Sequence, residues 1–473
     1  MYKIKFGTDG WRGVISEDFT FENVRRVANA IADYYNQHKF GKPKIAVGYD
    51  TRFLSETYAE LVAQALANNG IKVILSDRAI PTPALSLAVK LKKLDAGVMI
   101  TASHNPAKYN GIKIKTASGA AASPEVTQEI EKLLKQTSAK GQKNKKADKI
   151  NKFNLSKGYV DFLRSYIRLS LLKRAKFHLL VDVMFGSGSG FLADVLSGTG
   201  IKIDFMRSQI NPSFDGIRPE PVLENLGLTV DKLKEGSYDL GLVLDGDADR
   251  VAAFDGYGNF IHSQKILGLL ILHLVLNRKM TGGVVKTVAG TTLIDKIIDY
   301  LGLKLYETSV GFKYISELME KEDILIGGEE AGGIGVKGYI PERDGSLSGL
   351  LLLEMMVYQN KPMFKILNDM EKKFGRYYYL RDAVNLRKLS PNIVNNLSSS
   401  IKRLESKKDL LGKGIVQVKD FDGLKLICED ESWLMLRISG TEPLVRVYAE
   451  AKSLLRSRKL LNFGKGLISK YAL

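Results

Sequence analysis

A serine and a histidine lie side by side in Thr101-Ala-Ser-His-Asn-Pro106, here called the serine loop, directly after the apolar run Gly97-Val-Met-Ile100. The apolar run predicts a strand, and Pro106 is typical of the loop that follows one. A serine presented on such a loop can carry a covalent group. Because Ser, Asn and Pro are also common turn residues, the hexapeptide alone could be an ordinary turn. The prediction of Ser103 as a nucleophile therefore depends on the other polar loops of the chain.

Three aspartates alternate with small residues in Asp245-Gly-Asp-Ala-Asp-Arg250, the aspartate loop, which follows an apolar run. This spacing lets three carboxylates turn toward one point, and such hard oxygen ligands suit Mg²⁺. A calcium hand is not predicted, because no helix-loop-helix frame surrounds the loop and Gly256 stands where the twelfth-position glutamate would be. The sequence predicts that Asp245, Asp247 and Asp249 bind Mg²⁺, and a solvated acidic turn is the alternative.

Two further loops carry groups that could bind a phosphorylated sugar. The arginine loop, Arg437-Ile-Ser-Gly-Thr-Glu-Pro443, offers a guanidinium, two hydroxyls and backbone N–H groups that can donate to phosphate oxygens, and Arg446 adds a second cation. The glutamate loop, Gly328-Glu-Glu-Ala-Gly-Gly333, carries carboxylates that can accept hydrogen bonds from vicinal sugar hydroxyls. Its acidic residues could instead favour a helix N-terminus.

Three more positions have weaker signals. Lys113, on the strand predicted after the serine loop, could take or give the proton of a phosphoryl transfer, or could face solvent. Arg12 follows the glycine-rich turn of Phe6-Gly-Thr-Asp-Gly-Trp-Arg-Gly13, where a lone arginine is usually on the surface. Thr308-Ser-Val-Gly-Phe-Lys313 could be a short mobile loop whose contacts depend on the orientation of the bound sugar, or it could be a turn into a helix.

The composition excludes several classes of protein. A chain of 473 residues with 45% hydrophobic and 26% charged residues predicts a globular protein of two to four domains. No signal core precedes the first glycine-rich turn, and no apolar stretch reaches the ~18 residues of a membrane span. Cys428 is the only cysteine, which rules out an intrachain disulfide and a thiolate metal cluster. We therefore expect a cytoplasmic protein with no membrane partner.

The net charge of +18 fits either a nucleic-acid partner or a field that steers anionic substrates. Much of the excess lies in the run from Lys132 to Lys157, which is crowded with lysines among small polar residues. Such a run is typical of a solvated connector or helix face. Because no aromatic residue interleaves with the lysines before Phe153, a stacking platform for single strands is not expected. The sequence predicts no nucleic-acid partner.

Strand and helix signals alternate three times along the chain, and the polar loops follow β-branched runs. This pattern predicts parallel sheets covered by helices, with ligands beyond the carboxyl ends of the strands. The last part changes to the apolar alternation of an antiparallel sheet with flanking helices. We predict an α/β protein with three similar mixed α/β/α sandwich domains and a smaller C-terminal α+β domain. The predicted bounds are 1–154, 155–257, 258–372 and 373–473.

The serine, aspartate, glutamate and arginine loops, in this order and at these separations, resemble the α-D-phosphohexomutase superfamily over nearly the whole chain. The resemblance implies four domains around a central cleft, and an enzyme that interconverts hexose 1-phosphate and hexose 6-phosphate. It implies a phosphoserine in the resting enzyme, Mg²⁺ and a hexose 1,6-bisphosphate that serves as intermediate and activator. The partner is then a phosphorylated hexose, for a protein that is a monomer or a dimer.

The resemblance also implies roles for residues of this sequence. The catalytic group comprises Ser103 as the phosphoserine, His104 beside it, and Lys113, Arg12 and Arg250 around the transferring phosphoryl group. The metal group comprises Ser103 with Asp245, Asp247 and Asp249. The substrate-binding group comprises Gly311, Lys313, Glu329, Ala331, Arg437, Ser439, Gly440, Thr441 and Arg446.

The glutamate loop departs from the commonest pattern of the superfamily, in which serine stands at position 331 and histidine or another polar residue at 333. Here Ala331 and Gly333 occupy those positions. Glu330 and Pro341-Glu-Arg-Asp-Gly345 are most similar to bacterial and archaeal phosphoglucomutase/phosphomannomutases, so glucose is the first expectation and mannose the second. Phosphoglucosamine mutase, a non-catalytic sugar-phosphate-binding relative, a phosphatase and a nucleic-acid binder are the alternatives.

Overall fold

The computed structural model describes residues 4–7, 9–39, 41–135, 150–386, 399, 404, 408–439 and 444–469. The chain divides into two compact units. The first comprises the residues up to Gly282 together with Gly311–Ile366, and the second comprises Gly283–Val310 together with the residues from Leu367 onward. Within the described ranges, none of the helices combines the length and apolar character needed to span a bilayer.

The first sheet positions the serine loop. Its region contains, in chain order, β1 (Trp11–Val14), α1 (Phe21–His38), β2 (Lys44–Tyr49), α2 (Ser55–Asn68), β3 (Lys72–Ser76), α3 (Thr82–Leu91), β4 (Ala96–Ile100), β5 (Tyr109–Thr116), α4 (Pro124–Leu134) and β6 (Asn151–Phe153). The strand order is β1-β5-β4-β2-β3-β6. Strands β2 and β4 are parallel neighbours, whereas β5 returns antiparallel to β4. The serine loop and the residues after Tyr49 therefore leave the sheet at the same edge.

The described ends of the lysine-rich run have regular secondary structure. Residues 136–149 lie outside the described residues, but β6 pairs in parallel with β3 and so adds a strand to the first sheet. The next helix begins at Ser156, inside the run. All three residues of β6 and Lys157 of the next helix are exposed, which agrees with the expectation of a solvated segment.

The second sheet positions the aspartate loop. Its region contains α5 (Ser156–Tyr166), α6 (Leu169–Leu172), β7 (His178–Asp182), α7 (Phe191–Leu196), β8 (Lys202–Met206), α8 (Gly227–Glu235), β9 (Leu240–Leu244), β10 (Val251–Asp255) and β11 (Phe260–Ile261). The strand order is β11-β10-β9-β7-β8, with β7 parallel to β8 and β9. All of β9 is buried, and β10 returns antiparallel to it. The aspartate loop is thus the turn between two buried central strands.

The third region contains α9 (Ser263–Leu272), β12 (Gly283–Thr287), α10 (Thr292–Leu301), β13 (Leu305–Thr308), α11 (Phe312–Lys321), β14 (Ile324–Gly328), β15 (Ile334–Val336), α12 (Gly345–Gln359) and α13 (Met363–Phe374). A π-helical turn, His273–Asn277, continues α9. Strands β12 and β13 are parallel, whereas β14 and β15 are antiparallel. The glutamate loop connects β14 to β15, so its acidic residues do not begin a helix. Gly311 precedes α11, which agrees with the turn-into-helix interpretation of that segment.

The C-terminal region is an antiparallel sheet with a covering helix. It contains β16 (Tyr378–Asn385), β17 (Ile415–Lys419), β18 (Leu424–Cys428), β19 (Trp433–Ile438), β20 (Leu444–Ala451) and α14 (Leu454–Ser469), in the strand order β16-β20-β19-β18-β17. Leu434 and Val447 lie in one core with Leu460 of α14. Trp433 and Tyr448 pack in another core with Val288, which belongs to the same unit. The predicted change to antiparallel structure is confirmed.

Candidate active site

Ser103 is fully buried, and its backbone has a φ of 51°, which is uncommon for a residue with a side chain. Its N–H donates to Thr101 Oγ1 at 2.9 Å, and the Thr101 hydroxyl donates to Asp50 Oδ2 at 2.6 Å. The Ser103 hydroxyl donates to Asp245 Oδ2 at 2.9 Å and lies 3.4 Å from His104 Nδ1. Thr101 within the loop and Asp50 outside it therefore hold the serine in an unusual conformation, and its oxygen is directed at the aspartate loop.

Arg52 supports the same loop, and the sequence analysis did not select it. Its guanidinium donates to the carbonyl oxygens of Ser103, Asn105, Pro106 and Tyr109, at 2.5, 2.6, 2.9 and 3.0 Å. The side chain is buried, and its Nε lies 3.2 Å from Asp50 Oδ2. A sequence signal existed, because Arg52 follows β2 just as Ser103 follows β4, and the two parallel strands end at one edge of the sheet.

The aspartate loop gathers three buried carboxylates. Asp245, Asp247 and Asp249 each offer an oxygen, and these oxygens all lie within 4.8 Å of one another. Burial and repulsion from Asp249 and Asp247 raise the pKa of Asp245 well above its ordinary value. Asp247 Oδ1 and Asp249 Oδ1 are buried without a hydrogen-bond partner among the described residues. An unpaired carboxylate oxygen is costly in a protein interior, so both atoms fit the role of ligands to a cation.

A tight backbone contact places the aspartate loop against the serine loop. A Cβ on Gly246 would lie only 2.4 Å from the carbonyl oxygen of Ser103, so this position has no room for a side chain. Ala248, with a φ of 56°, turns the chain so that the carboxylates on either side face the same point. The hard, all-oxygen donor set fits Mg²⁺. Asp245, Asp247 and Asp249 are the residues that would hold it.

Lys113 is a buried cation among three carboxylates. Its Nζ lies 2.8 Å from Asp247 Oδ2, 2.8 Å from Asp249 Oδ2 and 2.9 Å from Asp9 Oδ2. Burial lowers the pKa of Lys113, but the attraction of Asp247, Asp249 and Asp9 outweighs it, and the pKa lies above its ordinary value. The raised pKa means that Lys113 keeps its proton at neutral pH and has no lone pair with which to act as a base. The arrangement favours an electrostatic role for Lys113 over the proton transfer suggested from the sequence.

Two arginines extend the positive charge around these loops. Arg12 Nη1 donates to Asn105 Oδ1 of the serine loop at 2.5 Å, and burial followed by repulsion from Arg250 lowers the pKa of Arg12. Arg250 lies 3.9 Å from both Asp249 Oδ1 and Glu329 Oε1. Both predicted cations therefore lie at the loops that the sequence analysis connected with phosphoryl transfer.

The glutamate loop is joined to the aspartate loop through the backbone. Arg250 forms a β-bridge with Gly333, and the N–H of Val251 donates to the Gly332 carbonyl oxygen at 3.1 Å. Glu329 is buried and pairs with Arg343 at 3.0 Å, whereas Ala331 is half-buried at the turn. Lys313 lies over the Tyr314 ring at 4.8 Å and lines a small cavity with Asp9. Among the described residues, none from the serine loop lines that cavity.

The remaining predicted residues belong to the second unit. Arg437 and Arg446 stand directly opposite each other on β19 and β20, so both side chains lie on one face of the C-terminal sheet. Arg437 Nε donates to Asp422 Oδ1 at 2.9 Å, and the Ser439 N–H donates to the Leu444 carbonyl oxygen at 3.0 Å. Two guanidinium groups on one face can bind an anion bidentately. Gly440 and Thr441 lie outside the described residues.

Four family models match the chain, all described as phosphoglucomutase/phosphomannomutase. The α/β/α domain I model matches residues 3–141, domain II 157–258, domain III 262–374, and the C-terminal domain 394–460. The predicted bounds at 154, 257 and 372 remain predictions beside these matches.

Individual proteins are similar over their full lengths. The chain is 29% identical to a phosphoglucomutase/phosphomannomutase of Thermococcus kodakarensis, covering 98% of each chain. It is 30% identical to a phosphoglucosamine/phosphogalactosamine mutase of Sulfurisphaera tokodaii, again covering 98% of each. A crystal structure from Thermus thermophilus with a provisional phosphomannomutase name is 34% identical, with a TM-score of 0.87 and 99% coverage of both chains.

Proposed function

The chain belongs to the phosphoglucomutase/phosphomannomutase family and is an intramolecular phosphotransferase, and on this basis we propose that it interconverts hexose 1-phosphate and hexose 6-phosphate through a phosphoserine at Ser103. The observation that carries the proposal is the 2.9 Å contact between the Ser103 hydroxyl and Asp245, in a site that also holds the Lys113 ammonium. A nucleophile, a cation site and positive charge are thereby combined at one place.

The reaction consists of two transfers with the same chemistry. In the first, a free hydroxyl oxygen of the hexose phosphate attacks the phosphorus of phosphoserine, the bond from phosphorus to Ser103 Oγ breaks, and Ser103 Oγ takes up the proton that the sugar hydroxyl loses. In the second, Ser103 Oγ attacks the phosphorus of the other phosphate of the resulting hexose 1,6-bisphosphate, and the proton that Ser103 Oγ loses passes to the released sugar oxygen. Serine is phosphorylated again at the end, so no phosphate is consumed.

The residues of this chain would contribute mainly by position and charge. Lys113, Arg12 and Arg250 would stabilise the negative charge of the transferring phosphoryl group, because fixed cations in a water-poor site act strongly on developing charge. Mg²⁺ bound by Asp245, Asp247 and Asp249 would supply further neutralisation of phosphoryl oxygens. Arg437 and Arg446 would hold the phosphate that is not being transferred, and Glu329 would accept hydrogen bonds from sugar hydroxyls.

We expect glucose to be the preferred hexose, with mannose second. The Oε1 atom of Glu329 already lies near two guanidinium groups, those of Arg343 and Arg250. Because its charge is balanced by these cations, Glu329 suits a neutral hydroxyl better than the ammonium group of a hexosamine. Glucosamine is the alternative to these two hexoses, favoured by the Sulfurisphaera tokodaii relative and by the additional carboxylate of Glu330.

A coupled assay tests the proposal. Purified protein with Mg²⁺ and a trace of hexose 1,6-bisphosphate would be given glucose 1-phosphate, mannose 1-phosphate and glucosamine 1-phosphate in parallel, with Ser103→Ala as control. We expect conversion of glucose 1-phosphate at the highest kcat/KM, and loss of every conversion in the control. Fast release of inorganic phosphate without isomerisation would indicate a phosphatase instead. Absence of conversion by protein that carries phosphate on Ser103 would favour a sugar-phosphate-binding protein.

A further inference from the structure

Arg343 is a buried guanidinium, 3% exposed, that joins three loops distant in sequence. Its Nη1 lies 3.0 Å from Glu329 Oε1 in the glutamate loop. Its Nη2 lies 2.9 Å from Asp249 Oδ2 in the aspartate loop and also bonds Asp9, which belongs to the glycine-rich turn before Arg12. One side chain therefore contacts a carboxylate of each loop.

The shape of arginine explains why this position joins them. The two Nη atoms point in different directions, so Nη1 serves the glutamate loop while Nη2 serves Asp9 and Asp249. A lysine ammonium is a single point charge and cannot span the same separation. Burial lowers the pKa of Arg343, but the attraction of Asp249, Asp9 and Glu329 outweighs it, so the group stays charged.

Gly333 provides the room that Arg343 occupies. A Cβ at position 333 would lie 2.5 Å from Arg343 Cδ and 2.9 Å from Glu329 Oε1, and both distances are shorter than real contacts allow. A side chain at 333 and the extended Arg343 side chain therefore exclude each other. The pairing of a glycine at 333 with an arginine at 343 is one structural feature, although ten positions separate them.

The contact leaves the second oxygen of Glu329 for a ligand. Both cations that lie near Glu329, Arg343 and Arg250, approach Oε1. Among the described residues, Oε2 has no ion-pair partner. A carboxylate fixed through one oxygen presents the other in a defined direction, which is what hydrogen bonding to a sugar hydroxyl requires.

We propose that Arg343 is a positioning residue that fixes Glu329 for the sugar and couples the glutamate loop to the aspartate loop, in the room that Gly333 leaves open. This inference rests on the proposed function, because it assigns sugar binding to Glu329. Arg343 itself contacts carboxylates of the protein and not the reacting atoms. Its loss should therefore act through Glu329, and a substitution at Gly333 should reproduce it.

The experiment is a double-mutant cycle in the mutase assay. Arg343→Met, Glu329→Gln and their combination would be compared with the wild type in kcat, KM and melting temperature. We expect Arg343→Met to lower kcat/KM by at least about 30-fold, and the combined loss to fall short of the product of the single losses by about tenfold or more. Arg343→Lys should have a kcat/KM between those of Arg343→Met and the wild type, since lysine keeps the positive charge but not the two separate Nη donors of arginine.

Two further variants separate positioning from simple stabilisation. Gly333→Ala should displace Arg343 and lower kcat/KM on its own, yet add less than about threefold in the Arg343→Met background. Arg278→Met is the matched control, because Arg278 forms a similarly buried pair with Glu354 at 2.6 Å. The control should lower the melting temperature while kcat/KM stays near that of the wild type.

The outcomes distinguish the inference from the function it rests on. An inactive wild type would overturn the proposed function before any variant is considered. An active wild type with unchanged kcat/KM in Arg343→Met would overturn the inference alone. Losses that multiply independently in the double variant, or a loss of kcat/KM in Arg278→Met as large as in Arg343→Met, would also overturn it, since general destabilisation would then suffice.

Discussion

The Nη2 atom of Arg52 lies 2.5 Å from the carbonyl oxygen of Ser103, so the guanidinium holds the peptide group that follows the serine. The preceding peptide is held as well, because the Ser103 N–H donates to Thr101, whose hydroxyl donates to Asp50. Arg52 thus fixes one side of Ser103 directly, and Asp50 fixes the other side through Thr101; Arg52 and Asp50 both follow β2. This explains how an exceptional φ of 51° is maintained at a residue with a side chain.

Replacing Arg52 with lysine should lower activity much more than stability. Lysine keeps a positive charge but cannot donate to four carbonyl oxygens in a fixed fork. We expect kcat to fall by about 100-fold, the cost of misplacing a nucleophile by roughly 1 Å. The measurement is kcat together with the melting temperature. Arg26→Lys, at another buried arginine of the same region, is the control. Equal losses of kcat in both variants would contradict the role of Arg52.

Gly246→Ala should separate the serine loop from the aspartate loop. The added Cβ would meet the Ser103 carbonyl oxygen at 2.4 Å, and neither backbone segment can give way without moving the other. We expect the variant to fold, to lose at least about tenfold in kcat, and to accept phosphate on Ser103 more slowly from a hexose bisphosphate. Intact-mass measurement follows the phosphorylation. A variant that is phosphorylated at the wild-type rate would show that the close contact is unimportant.

Removal of divalent cations should abolish activity, and Mg²⁺ should stabilise the folded protein. Three buried carboxylates repel one another, and a bound cation offsets that repulsion. A ligand present at 100 times its Kd adds about 2.7 kcal/mol to the free energy of unfolding. We therefore expect the melting temperature of the wild type to rise on titration with MgCl₂. Asp247→Asn should show no such rise. A rise of equal size in that variant would contradict the assignment of the aspartate loop.

Lys425 should make the stability of the second unit depend on pH. The side chain is 2% exposed, and its Nζ donates to the carbonyl oxygens of Val288 and Gly290 at 2.8 and 3.3 Å. Burial and repulsion from Lys286 lower the pKa of Lys425 to about 7. The neighbouring charges are Lys286, Glu307, Glu450 and Lys419. A lysine in the unfolded chain has a pKa of about 10.4.

The direction of the effect follows from proton binding. Between pH 7 and about 10.4 the unfolded chain binds a proton at Lys425 that the folded protein does not, so the free energy of unfolding rises with pH. The rise amounts to roughly 4 to 5 kcal/mol across this window, and below pH 7 the penalty is constant. Lys425→Met should lack this contribution. We expect the difference between wild type and variant, from denaturant unfolding, to change with pH over this range; parallel curves would refute the assignment.

The helices and strands were predictable where the apolar periodicity and the positions of the glycine residues indicate the same boundaries. The apolar run before the aspartate loop is the strand Leu240–Leu244, and the apolar alternation of the last part includes the strand Trp433–Ile438; each ends at a polar loop. Strand β13 begins only at Leu305, because Gly302, with a φ of 63°, ends α10 and the chain needs two more residues to enter the sheet. Local signals thus located the elements but not always their first residue.

The site was predictable in its motifs and not in the residues that join them. Ser103 and Asp245 belong to short patterns with recognisable chemistry. Arg343 bonds Asp9 across 334 positions, and no local pattern marks either residue as a partner of the other. Arg52 was similarly hidden, because its partners are backbone carbonyls, which every residue carries. Pairings of this kind become visible only when the strand order places distant loops at one edge.

The contact between Ser103 and Asp245 spans 142 positions, which has a consequence for the order of events during synthesis. At about 5 to 20 residues per second, a ribosome needs roughly 7 to 30 s after making Ser103 to produce Asp245. During that interval the first domain can fold, but the serine oxygen lacks its acidic neighbour and any cation held there. Under the proposed mechanism, a growing chain therefore lacks this geometry until Asp245 has been made, and translation postpones the first phosphorylation of Ser103 until then.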